Sequence, residues 1–338
     1  MEKTRVPYFD FLRLLATVAV ILLHISGSFY ETTEHDMAFW FGVYCNAATR
    51  WAVPAFVMLS GALFLQPQRT LTLKTLYGKY ILRLLIIFVT WCLLYELLFV
   101  PSLYWIKGVS PGSIRVSFVY HYPIHLWFLP MLMGVYMIFP ILRVIAKDEK
   151  VTVYFLLLWF LFSLLAYFPG VVADTAAIFS VRLVMGFSGY ALLGYWLSVT
   201  KLKIRKGWVL AFFFVSLALM WIISSLTSDQ DHFFECLAPN VIFFSFSVFL
   251  LARLMNGNIE KSVIWSKALT FVREDLLGIY LIHIFYIDLL NRPHFVGHLS
   301  AFAAIPLLTV AVFFLSLFTI KLVRLIPIVR YIVGDKIK

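Results

Sequence analysis

The chain has 338 residues, of which 62% are hydrophobic and only 13% are charged, and its mean hydropathy is +0.93. These values exclude an ordinary soluble domain, whose charged fraction is about 25%. Basic residues beside membrane spans explain the net charge of +11 better than nucleic-acid binding does, because cytoplasmic loops collect Lys and Arg. Three cysteines are too few for a disulfide framework. We therefore expect a polytopic membrane protein that binds no nucleic acid.

Apolar segments of spanning length recur along the chain and predict an all-α fold of about ten transmembrane helices. The predicted connections divide by charge, with clusters such as Lys147/Lys150 on one side and acids such as Asp36 and Glu235 on the other. The positive-inside rule assigns the basic side to the cytoplasm, and an even count of spans places both the N- and C-termini there. No loop is large enough for a second domain, so we expect a single membrane domain over residues 1–338. The predicted spans are residues 7–29, 39–65, 80–101, 124–146, 151–170, 178–199, 208–227, 237–255, 274–290 and 301–323.

The first span carries three ionisable residues, Asp10, Arg13 and His24, each of which is costly to hold in hydrocarbon without a partner or a water-filled cavity. Arg13 and His24 are just over three helical turns apart, so they share a face and lie roughly 16 Å apart along the axis. Asp10 is placed to pair with Arg13. Under the predicted topology, a reagent made in the cytosol could be anchored at Arg13 with its reactive end at His24. The alternative is that Arg13 snorkels to the headgroups and His24 hydrogen-bonds a neighbouring helix.

Three further cations each have a functional and a structural interpretation. Arg50 lies near the outer end of the second span, where Pro54 is expected to distort the helix. It either binds an anionic or hydroxylated acceptor or anchors the span at the outer interface. Lys79 and Arg83 open the third span on the predicted cytoplasmic side. They either anchor that helix or form a phosphate-binding pair.

Two later histidines, a tryptophan and a serine complete the candidates. His125 and Trp127 begin the fourth span at its outer end, so an imidazole and an indole N–H face the outer compartment. His283 lies about mid-span in the ninth segment and either completes a polar core or is a satisfied interhelical histidine. Ser60, followed by Gly61, favours close helix packing over nucleophilic catalysis, since no Gly-x-Ser-x-Gly elbow surrounds it. The histidines have no close paired spacing, so no metal site is expected.

In the order of these residues, the chain resembles the integral-membrane acyltransferase family 3, which comprises sugar O-acyltransferases of bacterial cell envelopes. The resemblance spans nearly the whole chain, and within the family the chain is similar to the O-acetyltransferases that modify enterobacterial common antigen. It rests on four ordered features: Arg13 with His24; Arg50, Pro54, Phe56, Ser60 and Gly61; His125, Trp127 and Phe128 with Tyr136 and Pro140; and Gly278, Tyr280 and His283.

This resemblance implies transfer of an acetyl group from cytoplasmic acetyl-CoA to a sugar hydroxyl at the outer face of the bacterial cytoplasmic membrane. The acceptor would be a cell-envelope polysaccharide or its lipid-linked precursor. By the same resemblance His24 is catalytic, as a base or an acyl carrier, and Arg13 contacts the CoA phosphates. Lys79 and Arg83 would help, although the family often has two closely spaced arginines there. The residues implied to bind or support the substrate are Asp10, Arg50, Ser60, His125, Trp127 and His283.

Two other classes of protein share the same gross features. A secondary transporter or flippase of lipid-linked glycans also needs about ten spans and buried ionisable groups, but transporters often contain internal repeats, and the two halves of this chain show no convincing repeat. A non-catalytic sensor or assembly subunit would have no need of the polar face of the first span. Consumption of a thioester distinguishes both from an enzyme, and a homo-oligomer is left open.

Overall fold

The computed structural model describes residues 6–30, 36–99, 124–166, 186–201, 204–227, 234–290, 299–327 and 329–334. Within these residues every regular element is helical and no strand occurs, which confirms the predicted all-α class. A 3-10 turn, Ile124–Trp127, leads into the fourth span, and π-helical turns, Leu76–Ile81 and Tyr95–Phe99, flank α4. The α-helices, apart from the single turn Leu73–Thr75, are α1 (Pro7–Tyr30), α2 (Met37–Ala47), α3 (Ala52–Phe64), α4 (Leu82–Leu94), α5 (Phe128–Ile145), α6 (Glu149–Ala166), α7 (Phe187–Val199), α8 (Lys206–Leu226), α9 (Pro239–Leu254), α10 (Asn256–Lys261), α11 (Val263–Val272), α12 (Leu276–Leu290) and α13 (Ala301–Arg324).

Seven of the described helical stretches are long and apolar enough to cross a membrane, and α9, α11 and α12 are apolar but shorter. Every predicted span contains a described helix, although the span over residues 178–199 is described only from residue 186. The chain is thus a multi-pass membrane protein, while the count of ten spans and the side of the termini stay predictions. The seven long stretches are Pro7–Tyr30, Met37–Phe64, Leu73–Leu98, His125–Ile145, Glu149–Ala166, Lys206–Leu226 and Ala301–Arg324.

Local sequence signals mark the starts of α2, α6 and α9. The Asp36 carboxylate accepts the backbone N–H of Phe39 at 2.8 Å at the start of α2, and Asp148 accepts that of Val151 at 3.2 Å at the start of α6. Such caps satisfy N–H groups that have no partner within the helix. Pro239 begins α9, where its missing N–H costs nothing.

The second predicted span is interrupted between α2 and α3. The helix ends at Ala47 and resumes at Ala52. Pro54 has no N–H to donate to the carbonyl of Arg50, which a continuous helix would require. The distortion expected from Pro54 is therefore present as a break just before it.

The chain divides into two compact units, each made of three separate stretches. The first unit comprises Met1–Ala19, Val43–Thr72 and Ile138–Thr270, and the second comprises Val20–Gly42, Leu73–Met137 and Phe271–Lys338. Neighbours in space are therefore distant in sequence within each unit.

In the first unit α3 and α7 pack backbone against backbone. A Cβ added at Gly61 would lie 1.8 Å from the carbonyl oxygen of Ala191, and one added at Gly194 would lie 2.1 Å from that of Met58. Only a glycine on each helix, Gly61 on α3 and Gly194 on α7, permits the two backbones to come this close. The expected close-packing site at Gly61 is confirmed.

Arginines of the first unit bind the last carbonyls of these two helices. Arg143 donates through Nη1 to the Phe64 carbonyl and through Nη2 to the Arg69 carbonyl, both at 2.6 Å. Arg253 donates to the carbonyls of Leu197 and Thr200 beside the end of α7. A guanidinium at a helix C-terminus satisfies carbonyls that lack a partner in the helix and opposes the negative end of the macrodipole.

In the second unit α12 and α13 pack side by side. A Cβ at Gly278 would lie 2.8 Å from Ile320 Cγ2, so the glycine lets α13 approach closely. The buried Asp275 carboxylate, 1% exposed, binds Lys321 at 2.8 Å and Arg324 at 2.6 Å. This ion-pair network fixes the start of α12 against the end of α13.

Candidate active site

Three histidines from three separate stretches of the second unit meet in one cluster. His24 belongs to α1, His125 to the 3-10 turn before α5, and His283 to α12. The ring centroid of His283 lies 5.4 Å from that of His24 and 5.2 Å from that of His125. His283 therefore has an imidazole ring close to it from each of the other two stretches.

Backbone carbonyls fix the protonation pattern of two of these rings. A carbonyl oxygen can only accept, so the 2.5 Å contact of His283 Nδ1 with the Tyr280 carbonyl requires the proton on Nδ1. In the same way the 3.1 Å contact of His125 Nε2 with the Leu281 carbonyl requires the proton on Nε2. The other ring nitrogens, His283 Nε2 and His125 Nδ1, are buried and have no hydrogen-bond partner within the described part of the chain.

Two tyrosines hold the cluster in place. The Tyr95 hydroxyl donates to the Leu281 carbonyl at 2.9 Å, the same oxygen that binds His125, and the Tyr280 hydroxyl donates to the carbonyl of His125. Sequence reasoning gave Tyr95 no role. A tyrosine in an apolar span is a signal for such a tether, because its hydroxyl must find an acceptor away from water.

The cluster suits proton transfer or nucleophilic attack by an imidazole. His125 and His283 are 1% and 0% exposed, whereas His24 is only half-buried and is the accessible ring of the three. A neutral imidazole nitrogen can take a proton from a hydroxyl or attack a carbonyl carbon. Among the described residues, no group of three or more His, Cys, Asp or Glu side chains has the arrangement of a metal site.

Asp10 and Arg13 form the ion pair that their spacing predicts. Arg13 Nη1 lies 3.1 Å from Asp10 Oδ1, with the Asp10 side chain 12% exposed and that of Arg13 33% exposed. His24 stands further along the same continuous helix, α1. The anchored cation and the imidazole therefore occupy one element, as the sequence suggests, and their functional roles stay predictions.

The candidate phosphate contacts Lys79 and Arg83 differ in their surroundings. Lys79 is exposed and belongs to the π-helical turn before α4. Arg83 donates to the carbonyl of Gly334, in the segment after α13. A bond between residues so far apart in sequence was not foreseeable, and it shows that part of the Arg83 guanidinium is engaged within the protein.

The remaining candidates are Arg50, Ser60 and Trp127. Arg50 Nε donates to Asn46 Oδ1 at 2.6 Å, and its guanidinium lies 4.5 Å from the centre of the Phe234 ring. Ser60 Oγ donates to the Phe56 carbonyl at 2.9 Å, within its own helix. Trp127 follows His125 in the 3-10 turn and is half-buried. A role for any of these in substrate binding stays a prediction.

Comparison with known protein families gives one match. A family model described as an acyltransferase domain matches residues 6–321, which is nearly the whole chain and includes every candidate residue above. Comparison with curated proteins and with solved structures finds no match.

Proposed function

The chain belongs to the acyltransferase family 3, and from this premise we propose that it is a membrane O-acetyltransferase. In this proposal the acyl donor is acetyl-CoA, bound from the cytoplasm. The acceptor is a sugar hydroxyl of a cell-envelope polysaccharide or of its lipid-linked precursor, with enterobacterial common antigen as the first candidate. The protein would act in the bacterial cytoplasmic membrane.

The observation that carries the proposal is the cluster of His24, His125 and His283 in a chain of this family. Histidines from three distant stretches are brought to one place inside apolar helices, where each polar group is costly. Helix packing alone does not account for three imidazoles at this place. A reaction that needs a proton acceptor does account for them.

His24 can serve this reaction in either of two ways. As a base, it takes the proton of the sugar hydroxyl while the oxygen attacks the thioester carbon. The C–S bond then breaks and the CoA thiolate receives the proton. As an acyl carrier, its ring nitrogen attacks the same carbon and expels the thiolate, and the hydroxyl then attacks the acetyl-imidazole and breaks the C–N bond.

Cations at the predicted cytoplasmic end would hold the donor. We assign Arg13, positioned by Asp10, to the CoA phosphates, with Lys79 and Arg83 as further contacts. The offset of roughly 16 Å between Arg13 and His24 along the helix is comparable with the reach of a pantetheine arm. An anionic donor anchored at Arg13 would thus present its thioester near His24.

The first test measures acetyl-CoA binding and slow hydrolysis by the detergent-purified full chain. His24→Ala should lower turnover by roughly 10²-fold or more, the usual contribution of a general base, with donor affinity retained. Ser28→Ala, an exposed residue one turn further along α1, is the matched control and should turn over normally. Wild-type turnover in His24→Ala would remove His24 from the mechanism.

The same assay tests the donor site. Arg13→Ala should weaken acetyl-CoA binding roughly ten- to hundredfold, because a hydrogen bond to a charged group contributes about 1.5–3 kcal/mol. Lys150→Ala, which removes an exposed cation from α6, should leave the affinity unchanged. An unchanged affinity in Arg13→Ala would contradict its role, and absence of acyl-CoA binding by folded wild-type protein would favour the transporter.

A further inference from the structure

Within the histidine cluster, the ring of His283 carries a lone pair that the described residues leave unused. His283 Nδ1 bonds the carbonyl of Tyr280, so the lone pair of the neutral ring lies on Nε2. That nitrogen is buried without a hydrogen-bond partner in the described part of the chain, in a residue that is 0% exposed. A buried acceptor left unmatched in this way is destabilising unless a donor reaches it.

The ring of His24 is adjacent to that lone pair. Its centroid lies 5.4 Å from that of His283, with the two ring planes inclined by 43°. At this separation the facing edges of two imidazoles are within reach of one hydrogen bond after a small rotation of a side chain. His24 is the half-buried ring and has more room to rotate than His283, whose Nδ1 is tied to the backbone.

We propose that His283 is the positioning residue for His24: its Nε2 accepts the N–H of one ring nitrogen of His24 and so leaves the lone pair of the other free to react. This inference rests on the proposed role of His24. The backbone bond of His283 fixes which of its own nitrogens can accept, and that nitrogen then fixes the tautomer and the orientation of His24. His283 would thus orient His24 as the third residue of a catalytic triad orients its base. Here a neutral imidazole takes the place of the carboxylate.

His125 also packs against His283 and does not compete with His24 as a donor. Its ring packs at 5.2 Å and 78° to that of His283, and its Nε2–H is committed to the Leu281 carbonyl. That N–H therefore does not compete with His24 for the lone pair on His283 Nε2. Of the two neighbouring imidazoles, only His24 then has an N–H that could reach this lone pair.

Three variants of the full chain separate positioning from packing. His283→Phe keeps a ring of similar size without an acceptor, and His283→Gln supplies an amide oxygen that can accept a hydrogen bond. Tyr286→Phe is the matched control. Tyr286 lies on the same helix as His283, and its replacement removes a hydrogen bond to Thr319 but none within the cluster. This variant therefore shows how far the loss of a structural hydrogen bond on α12 alone changes the rates.

The first readout needs no acyl donor. Diethyl pyrocarbonate acylates the free lone pair of an imidazole, and mass spectrometry measures the rate at His24. We expect His283→Phe to lower that rate about tenfold, and we expect the Gln variant and the Tyr286→Phe control to stay close to wild type. A fixed lone pair reacts faster than one shared between two orientations of a free ring.

The second readout is acetyl-CoA turnover. His283→Phe should lower kcat roughly 10²-fold with little change in KM, since His283 acts only when the reacting groups are in place, and His283→Gln should restore most of the loss. A wild-type carbethoxylation rate and kcat in His283→Phe would overturn the proposal. Equal losses in the Phe and Gln variants would also overturn it, because only the Gln variant retains an acceptor.

A measurement on the unaltered chain covers the case in which His283→Phe fails to fold. In wild-type protein labelled with ¹⁵N-histidine, nuclear magnetic resonance should show His283 Nε2 as an acceptor coupled to an N–H that is lost in His24→Ala. A His283 Nε2 without that coupling would overturn the proposal. If wild-type protein consumes no acyl-CoA, the proposed function fails, while the resonance and the carbethoxylation rate still decide whether His283 positions His24.

Discussion

Arginines in this chain often bind backbone carbonyls instead of carboxylates. Arg143 donates to three carbonyl oxygens, those of Phe64, Gln66 and Arg69, and Arg83 donates to that of Gly334. Carbonyl oxygens at helix ends carry partial negative charge and lack partners within the helix. Arg143 therefore satisfies the carbonyls at and beyond the end of α3, whereas Arg83 ties the start of α4 to the segment after α13.

Replacement of Arg143 should destabilise the fold measurably. Arg143→Met keeps the apolar stem but removes every donor, so the carbonyls of Phe64, Gln66 and Arg69 lose their shared partner. We expect a loss of about 1–3 kcal/mol, measured as a lower thermal unfolding midpoint in detergent. Lys147→Met is the control, since it removes an exposed cation one turn further on. Equal midpoints for the two variants would show that the carbonyl contacts contribute nothing.

What the sequence could predict about single residues depended on the distance to their partners. The Asp10–Arg13 pair lies within one helical turn, so spacing alone was enough. The meeting of His24, His125 and His283 depends on the packing of three distant stretches, and only the resemblance to a family indicated that these residues belong together. Local periodicity contains no information about such contacts.

At the scale of whole helices, the strongest constraint is the contact between α3 and α7. Gly61→Ala would place a methyl group 1.8 Å from a backbone oxygen, which can be relieved only if the helices move apart. We expect this change to lower the unfolding midpoint, with a cost of roughly 1–3 kcal/mol for overpacking. Gly194→Ala should behave alike, because its methyl group would meet the Met58 carbonyl at 2.1 Å.

The matched control for these helix-packing variants is Gly134→Ala. Gly134 also lies inside a helix, α5, but nothing lies within 4 Å of a Cβ added there. Alanine should therefore be neutral or stabilise by up to about 1 kcal/mol through its helix propensity. A midpoint for Gly61→Ala as high as that for Gly134→Ala would show that α3 and α7 separate without cost.

Helix positions were predictable and helix details were not. Long apolar runs marked the spans because hydrocarbon thickness sets their length. The stretch from Asn256 to Val272 was expected to be a loop, yet it forms α10 and α11. Short helices with exposed apolar residues such as Ile264, 79% exposed, fall below the length by which a span is recognised. The π-helical turns beside α4 had no sequence signal that we could identify.

At the scale of the whole molecule, basic residues argue for one orientation. The carbonyls bound by Arg143 and Arg253 lie at the C-terminal ends of α3 and α7, and the predicted topology brings both ends to the cytoplasm. Lys321 and Arg324 close the last helix on the same predicted side. Because Lys and Arg accumulate in cytoplasmic connections, these positions support an even number of spans with both termini inside.

The number of spans can be measured through the side on which particular residues emerge. With ten spans, position 201 and the C-terminus lie in the cytoplasm and position 300 lies outside. With only the seven long helices spanning, all three positions change sides. In intact cells a membrane-impermeant maleimide should label Ser300→Cys but not Lys201→Cys, in a background where Cys45, Cys92 and Cys236 are replaced, and a fluorescent protein fused at residue 338 should fluoresce in the cytoplasm. With the N-terminus in the cytoplasm, the reverse labelling would establish an odd count and would place the C-terminus outside. It would also mean that one predicted span before position 201 does not cross, with the short helix α7 as the first candidate.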